Sequence, residues 1–419
     1  MMETLRSTGV ELKCRRQQTW NFTNHFINLP LSSIDNTISE KKMPPSPVSI
    51  IGAGFSGLVL GQCLRRRNIP AVIYERTNSD LRNNYGITLY NSTYRPLLES
   101  LGINEDEFKR QVAIHHPENS ELISDGRRLR VNRAALTRIL RKDLDIRWEH
   151  KLSDISASTS SKSAVFTVGD QKETQDYGLL IAADGAHSAT RSLLNLPTST
   201  FDLKVLPFVV FNGKRRIAYS SLPSGLLDSF TNPDGITHTQ GDALLTIKAD
   251  FWDVEKQVVA VSYTLSRVAG EKDQPLLDRN IRDSEKLAKH FIEEVSALGE
   301  TPEPFRQVFN PDNMPEDRLL HWLMRSALLE SKGAEDIFAN KGVLLLGDAA
   351  HTQQPLSGNG ANLAIADAIE LAKHINSSGE ADDVAAYLNA RAQAWVEGTR
   401  EAEQSLQNSH ASSNDKARM

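Results

Sequence analysis

Residues 48–76, VSIIGAGFSGLVLGQCLRRRNIPAVIYER, constrain this chain more than any other stretch. Val48–Ile51 is a short β-rich run ending at glycines, Ser56–Arg67 carries apolar residues at helical spacing, and Ala71–Tyr74 is a second apolar run. The pattern is a strand–helix–strand unit. Gly52, Gly54 and Gly57 have the dinucleotide spacing: a tight turn, close approach of backbone to a pyrophosphate, and close packing of helix on strand. The helix that follows aims its partly positive N-terminus at the diphosphate. Glu75 closes the second strand about twenty residues on, where a carboxylate accepts from both ribose hydroxyls and repels a 2′-phosphate. FAD or NAD is therefore preferred over NADP at this site, with Arg76 next to the acid.

With 419 residues the chain is long enough for about two domains of the usual size. Its 39% hydrophobic content and net charge of -5 leave no broad basic field for nucleic acid, so small molecules are the expected partners. Only Cys14 and Cys63 are present, and Cys63 falls inside the predicted first helix, which argues against a disulfide framework and for a cytoplasmic setting. No apolar run approaches the ~20 residues of a membrane span, so no stable membrane insertion is expected. Residues 1–46 lack a clean period and end in KKMPPSP, as a poorly ordered leader would; Met43 is an alternative start.

Farther along, Asn132–Leu144 shows one apolar helical face after Arg133, residues 145–166 read as a strand meander, and LLIAA as a buried strand before Asp184. From Phe201 the chain becomes strand-rich: VLPFVVFNGKRRIAYSSL, ALLTIKADF and QVVAVSYTLSRV alternate with Gly, Pro and Asp turns. Helical segments are expected around Ser284–Leu298 and Asp317–Leu329, and a final helix from Asp382 to about Leu406. The fold class is α/β: a Rossmann-like, three-layer dinucleotide-binding domain interrupted by a mainly β domain, with a C-terminal helix; that the first is an FAD-binding domain of the GR2 type and the second a substrate domain is what the family resemblance carried by the late motif implies. The expected boundaries are 47–200 and 326–380 for the cofactor domain, 201–325 for the substrate domain and 381–419 for the tail.

A second glycine-rich segment, GDAAHTQQPLSGNGANLAIADA, begins at Gly347. FAD has two ends, and this segment suits the second: Asp348 can accept from ribityl hydroxyls, Gly358 and Gly360 let backbone approach the ring edge, and a helix starting near Ala361 aims its N-terminus at the flavin's pyrimidine edge. Gly347 to His351, Pro355, Gly358, Gly360, Asn362 and Asp367-Ala368 resemble the late flavin motif of the class A FAD-dependent aromatic-ring monooxygenases, which include 4-hydroxybenzoate and salicylate hydroxylases and tetracycline-inactivating monooxygenases. Their middle motif, D-G-x-x-S-x-x-R, is matched by Asp184 to Arg191. The three motifs stand in family order over Val48 to Ile375.

The resemblance implies FAD as cofactor, with Gly52, Gly54, Gly57, Glu75, Arg76, Gly86, Arg133, Asp184, Gly347, Asp348, Pro355, Gly358, Gly360, Ala361 and Asn362 at its site. Arg133 resembles the arginine beside the diphosphate and ribityl chain, and Ala361 the position whose backbone lies at the flavin edge. It further implies NADPH or NADH as a transient co-substrate, since there is a single G-x-G-x-x-G, and O2 as oxygen donor through a flavin C4a-hydroperoxide. No protein nucleophile or metal is called for. Arg191, Arg215 and Tyr219 are candidates for substrate or nicotinamide contact, with Lys214-Arg215-Arg216 placed on a turn and Phe251, Trp252 and Tyr263 as possible pocket aromatics. His351 reads as a turn-holding residue. Two departures stand out: Ala182 where relatives often have Gly, and Tyr90 where tetracycline-inactivating relatives place an acid. The expected activity is hydroxylation or epoxidation of a small aromatic, polyketide-like or alkaloid-like compound in specialised metabolism, by a monomer or homodimer. Alternatives are an oxidase or reductase without oxygen transfer, and a non-catalytic FAD-fold carrier.

Overall fold

The computed structural model describes residues 46–80, 84–158, 161–197, 200–278 and 284–416. The expected leader and Cys14 lie outside these residues.

Five short strands run parallel in the order Val343–Leu345, Leu180–Ala182, Val48–Ile51, Ala71–Tyr74, Ile146–Arg147. The first four are apolar at nearly every position and almost wholly buried, as strands of a parallel sheet covered on both faces must be. The helix Phe55–Arg66 packs along this sheet and against the late helix Gly360–Lys373. Leu58, Val59, Leu60 and Leu64 are buried there, each contributing about 1.5–3 kcal/mol. Cys63 on the same helix is a buried free thiol, pushed up to about 11 by burial. A meander forms, but over residues 151–176 and not 145–166: it has three antiparallel strands, Lys151–Ala157, Lys162–Val168 and Gln171–Asp176, while Ile146–Arg147 joins the parallel sheet. Arg133–Leu140 is helical from the predicted start, with Asn132 capping it through a bond from the Ala135 amide.

The insertion is an antiparallel sheet in the order Ile236–Gln240, Ala243–Asp253, Val258–Val268, Phe208–Ala218, Arg318–His321. One of its faces, with Val209, Phe211, Leu245, Ile247, Val261 and Leu265, forms a second core with Phe291 and Val295 of the helix Ser284–Ser296. The helix expected over Asp317–Leu329 is instead two strands, Arg318–His321 and Arg325–Leu329. Consecutive apolar residues such as Leu319-Leu320 and Trp322-Leu323-Met324 carry no decisive period, and two open strand edges supply the backbone partners that decide the matter. The second of these strands pairs with Phe201–Val205 and with His351–Thr352, so one small sheet holds the chain where it enters and leaves the insertion. The C-terminal helix, Val384–Lys416, is longer than expected and packs on the late helix and the small sheet.

Candidate functional site

The parallel sheet delivers the three motifs to one edge. Gly52 follows Val48–Ile51, Glu75 follows Ala71–Tyr74, Asp184 follows Leu180–Ala182, and Gly347-Asp348 follows Val343–Leu345, all at strand C-termini. That edge is where open α/β sheets bind ligands. Gly52 has φ +104°, and a Cβ there would sit 2.5 Å from the Ala183 carbonyl oxygen, so the turn requires glycine. At Gly57 a Cβ would strike the Gly52 carbonyl, which is the close helix–strand packing the spacing implied. Gly54 caps the helix without a side-chain acceptor, leaving its first N–H groups available to an anion.

Glu75 is held rigidly. The Ala53 amide donates to its Oε2 at 2.8 Å, and the Thr77 amide and hydroxyl donate to its Oε1 at 2.9 and 3.0 Å. Gly52, Gly54, Glu75, Arg76, Arg133 and Asp184 line a single cleft of about 370 Å³. The Arg133 guanidinium lies 5.2 Å from the Phe55 ring centroid and 5.5 Å from that of Tyr85. Asp184 uses Oδ2 to accept from the Thr190 amide and hydroxyl, both at 3.0 Å, while its buried Oδ1 has no donor among the described residues.

Ser188 caps the helix Ala189–Leu194, and Arg191 on that helix braces the motifs against each other. Its Nη1 donates to the Ala349 carbonyl at 2.8 Å, its Nη2 to the Ala186 carbonyl at 2.6 Å, and its guanidinium sits 4.2 Å from the Phe201 ring centroid. These contacts tie the middle motif to the late one, a different task from the expected contact with substrate or nicotinamide.

In the late segment Gly347 abuts Ser56 of the first helix. The carboxylate of Asp348 receives no hydrogen bond from the described residues, and burial pushes its pKa up. Pro355 opens a tight turn that leads through Gly358 to Gly360 and Ala361, the first two residues of the late helix. Asn362 is fully engaged by protein backbone: its Oδ1 accepts from the Tyr90 amide at 2.9 Å and its Nδ2 donates to the Thr88 carbonyl at 3.0 Å. It therefore fastens the late helix to the strand Gly86–Tyr90. The other end of that strand is fastened by Asp250, whose Oδ1 accepts from the Gly86 amide at 3.0 Å.

Lys214-Arg215-Arg216 lies inside the strand Phe208–Ala218 and not on a turn, so its side chains alternate between faces. Arg215 is buried in the core on a salt bridge of 2.6 Å to Asp317 and donates to the Gln307 carbonyl, which corrects its assignment to substrate or nicotinamide. Tyr219 bonds Glu118 at 3.2 Å and packs on Trp252, while Tyr263 is a core residue bonded to Asp317. Sequence reasoning missed the network behind the late motif. His351 bonds Asp367, which also accepts from Arg391 Nε and Trp395 Nε1 at 2.8 Å each; His351, Asp367 and Trp395 are buried and Arg391 partly so. It missed Asp250 as well, although a carboxylate in the alternating stretch TIKAD was a visible signal.

The fit to FAD rests on the unsatisfied groups: a helix start with open amides, and two carboxylates, Asp184 and Asp348, that have acceptor atoms without protein donors. Acceptors of this kind suit a ligand carrying a diphosphate and several hydroxyls. Comparison with known proteins agrees. The family model described as FAD binding domain matches residues 45–215 and 321–394. The FAD-dependent monooxygenase vrtH of Penicillium aethiopicum is 27% identical over 395 residues, covering 84% of this chain and 90% of its own. Among solved structures, tetracycline destructase Tet(55) superposes with a TM-score of 0.63 at 18% identity, over 90% of this chain and 97% of that one. Klebsiella pneumoniae HpxO, complexed with FAD and uric acid, does so with a TM-score of 0.60 at 17% identity, over 89% and 93%.

Proposed function

The chain belongs to the FAD-binding-domain family of flavoprotein monooxygenases, and from that premise we propose that it uses NAD(P)H and O2 to hydroxylate or epoxidise a small aromatic, polyketide-like or alkaloid-like substrate. The observation that carries the reading is the placing of two under-satisfied carboxylates, Asp184 and Asp348, on the same sheet edge as the rigid Glu75 and the open helix start. One extended FAD would suit all four: Glu75 would accept from the adenosine ribose, the first-turn amides after Gly54 would hold the diphosphate beside Arg133, and Asp184 and Asp348 would accept from ligand hydroxyls. The late helix, 14 residues long, starts at Gly360 and Ala361, and its N-terminus would favour the negative charge that a reduced flavin carries. Bound FAD supplies electron storage and oxygen activation; the chain supplies positioning, charge and exclusion of water.

The test mixes the FAD-loaded protein with NADPH or NADH, candidate hydroxylated aromatics and ¹⁸O-labelled dioxygen. The expected result is substrate-stimulated oxidation of the nicotinamide, with one labelled oxygen atom in the product and the other in water. Hydrogen peroxide as the sole oxygen product with every candidate would overturn the proposal in favour of an oxidase.

A further inference from the structure

The insertion sheet has two unlike faces. One is the apolar core already described. The other can be read from the register: Lys214 pairs with Ser262 and Arg318, and Ser262 with Lys248; Asn212 pairs with Thr264 and Leu320, and Thr264 with Thr246. The result is two adjacent cross-strand rows of hydroxyl, amide and ammonium groups, Arg318–Lys214–Ser262–Lys248 and Leu320–Asn212–Thr264–Thr246. An ordinary outer sheet face is polar because water covers it. Here Asn212, Thr264 and Asp250 are buried.

This face adjoins the cofactor cleft. The Lys214 ammonium stands 3.8 Å from the centroid of the Tyr85 ring, and that same ring is 5.5 Å from the guanidinium of Arg133, a residue lining the cleft. Asp250, which faces Lys214 at 3.9 Å and accepts from Ser262 at 2.6 Å, also holds the Gly86 amide. Two groups on the face have hydrogen-bonding capacity that the described residues do not fill, although Lys214 has a long ion pair with Asp250 and a cation–π contact with Tyr85. The Oδ1 of Asn212 is buried without a donor among the described residues, although its Nδ2 donates to the Tyr263 carbonyl and the Thr264 hydroxyl. Lys214 makes no hydrogen bond with a described residue, and its neighbours in charge are one carboxylate, Asp250, against the cations Arg318, Arg133 and Arg130.

We propose that Lys214 and Asn212 form a two-point recognition site for an oxygenated aromatic ligand, Lys214 binding an acidic phenolic or enolic hydroxyl and Asn212 Oδ1 accepting a hydrogen bond from a second hydroxyl. It rests on the monooxygenase reading only in taking the ligand to be aromatic; the hydroxyls follow from the groups on this face. Asp250 is a positioning residue that steadies the ammonium. Burial and the surrounding cations push Lys214 down to about 8, with Asp250 opposing, so near pH 7 the ammonium is charged and poorly solvated. A hydroxyl that becomes an oxyanion beside it relieves that deficit.

The test titrates the FAD-loaded full chain, without reductant, with 2,7-dihydroxynaphthalene, 7-methoxy-2-naphthol and 2,7-dimethoxynaphthalene, reading the perturbed flavin spectrum. The diol should bind at least ten-fold tighter than the dimethyl ether, with the monoether between them, and naphtholate absorption should appear at a pH below that of the free diol. Lys214→Met should remove the naphtholate band and cut the diol's advantage over the dimethyl ether at least three-fold, leaving only the share that Asn212 supplies. Asn212→Leu should remove only the advantage of diol over monoether. The inference is overturned if the wild type binds the diol no tighter than the dimethyl ether, a comparison needing no variant, or if Lys214→Met, with flavin bound, keeps the preference. Turnover is not measured here, so this outcome is independent of the labelled-oxygen experiment.

Discussion

At the scale of single residues, the site is built from acceptors whose partner is not in the protein. Asp348 is the clearest case. Burial raises its pKa, which means that the folded chain without cofactor is destabilised by the charged form. The sign follows from linkage: a carboxyl with a raised folded pKa adds stability below its unfolded pKa and loses that contribution as pH rises through the folded value. Asp348→Asn in the FAD-free protein should therefore raise Tm at pH 7, by an amount equivalent to about 0.5–2 kcal/mol, and the gain should vanish toward pH 4. Asp348→Ala should fold and yet lose FAD affinity by roughly ten- to hundred-fold, the worth of a hydrogen bond to a charged group. Flavin fluorescence titration measures this, and full flavin occupancy in the variant would contradict the assigned role. The sequence displayed these acceptors because glycine spacing and an acid at a strand end are local features. Arg191 and Asn362 were visible as motif residues, but their jobs were not, because both bond backbone of elements distant in the chain, at Ala349 and at Thr88 and Tyr90.

Elements are legible where a period is strong and ambiguous where it is not. Val48–Ile51 and the first helix follow from their patterns within a residue at each end, and the late helix starts within one residue of Ala361, whereas the meander expected over 145–166 runs over 151–176. The run from Asp317 to Leu329 did not follow from its pattern, because a sheet edge decided its conformation. The polar face of the insertion sheet was written in the alternation of Thr246, Lys248 and Asp250, but only the cross-strand register shows those residues to be neighbours of Asn212 and Lys214. The same holds for the joint between the late helix and the C-terminal helix. Asp367 lies at the centre of that joint; burial opposes its charge, but His351, Arg391 and Trp395 together hold its carboxyl below the ordinary range. A depressed carboxyl adds stability above its unfolded pKa and loses it as pH falls through the folded value, so the joint should weaken in acid, below about pH 4. Asp367→Ala should cost about 3–5 kcal/mol, since it leaves Arg391 and the Trp395 N–H without their acceptor. Chemical denaturation would show it, and a loss under about 1 kcal/mol would mean that the network is dispensable.

Across the whole molecule, the two glycine segments stand almost three hundred residues apart in sequence and meet only because two strands of one parallel sheet, on either side of Leu180–Ala182, carry them. A single ligand that spans both acts as a clamp between distant stretches of chain. Anything bound by the native but not the unfolded state stabilises by mass action, about 2.7 kcal/mol at a hundred times Kd. FAD in that excess should thus raise Tm as one shift of the transition. Hydrogen exchange should resolve how the shift is shared. FAD is expected to slow exchange at once in residues 52–57, around Asp184 and in residues 347–362, whereas ADP, which carries only the adenosine diphosphate end, should protect the first segment and leave the last unchanged. If ADP protected all three equally, protection would come from general tightening of the sheet, and the division of one cofactor between two separate backbone segments would be wrong. If FAD protected only the first segment, Asp348 and the late helix would have no part in holding it.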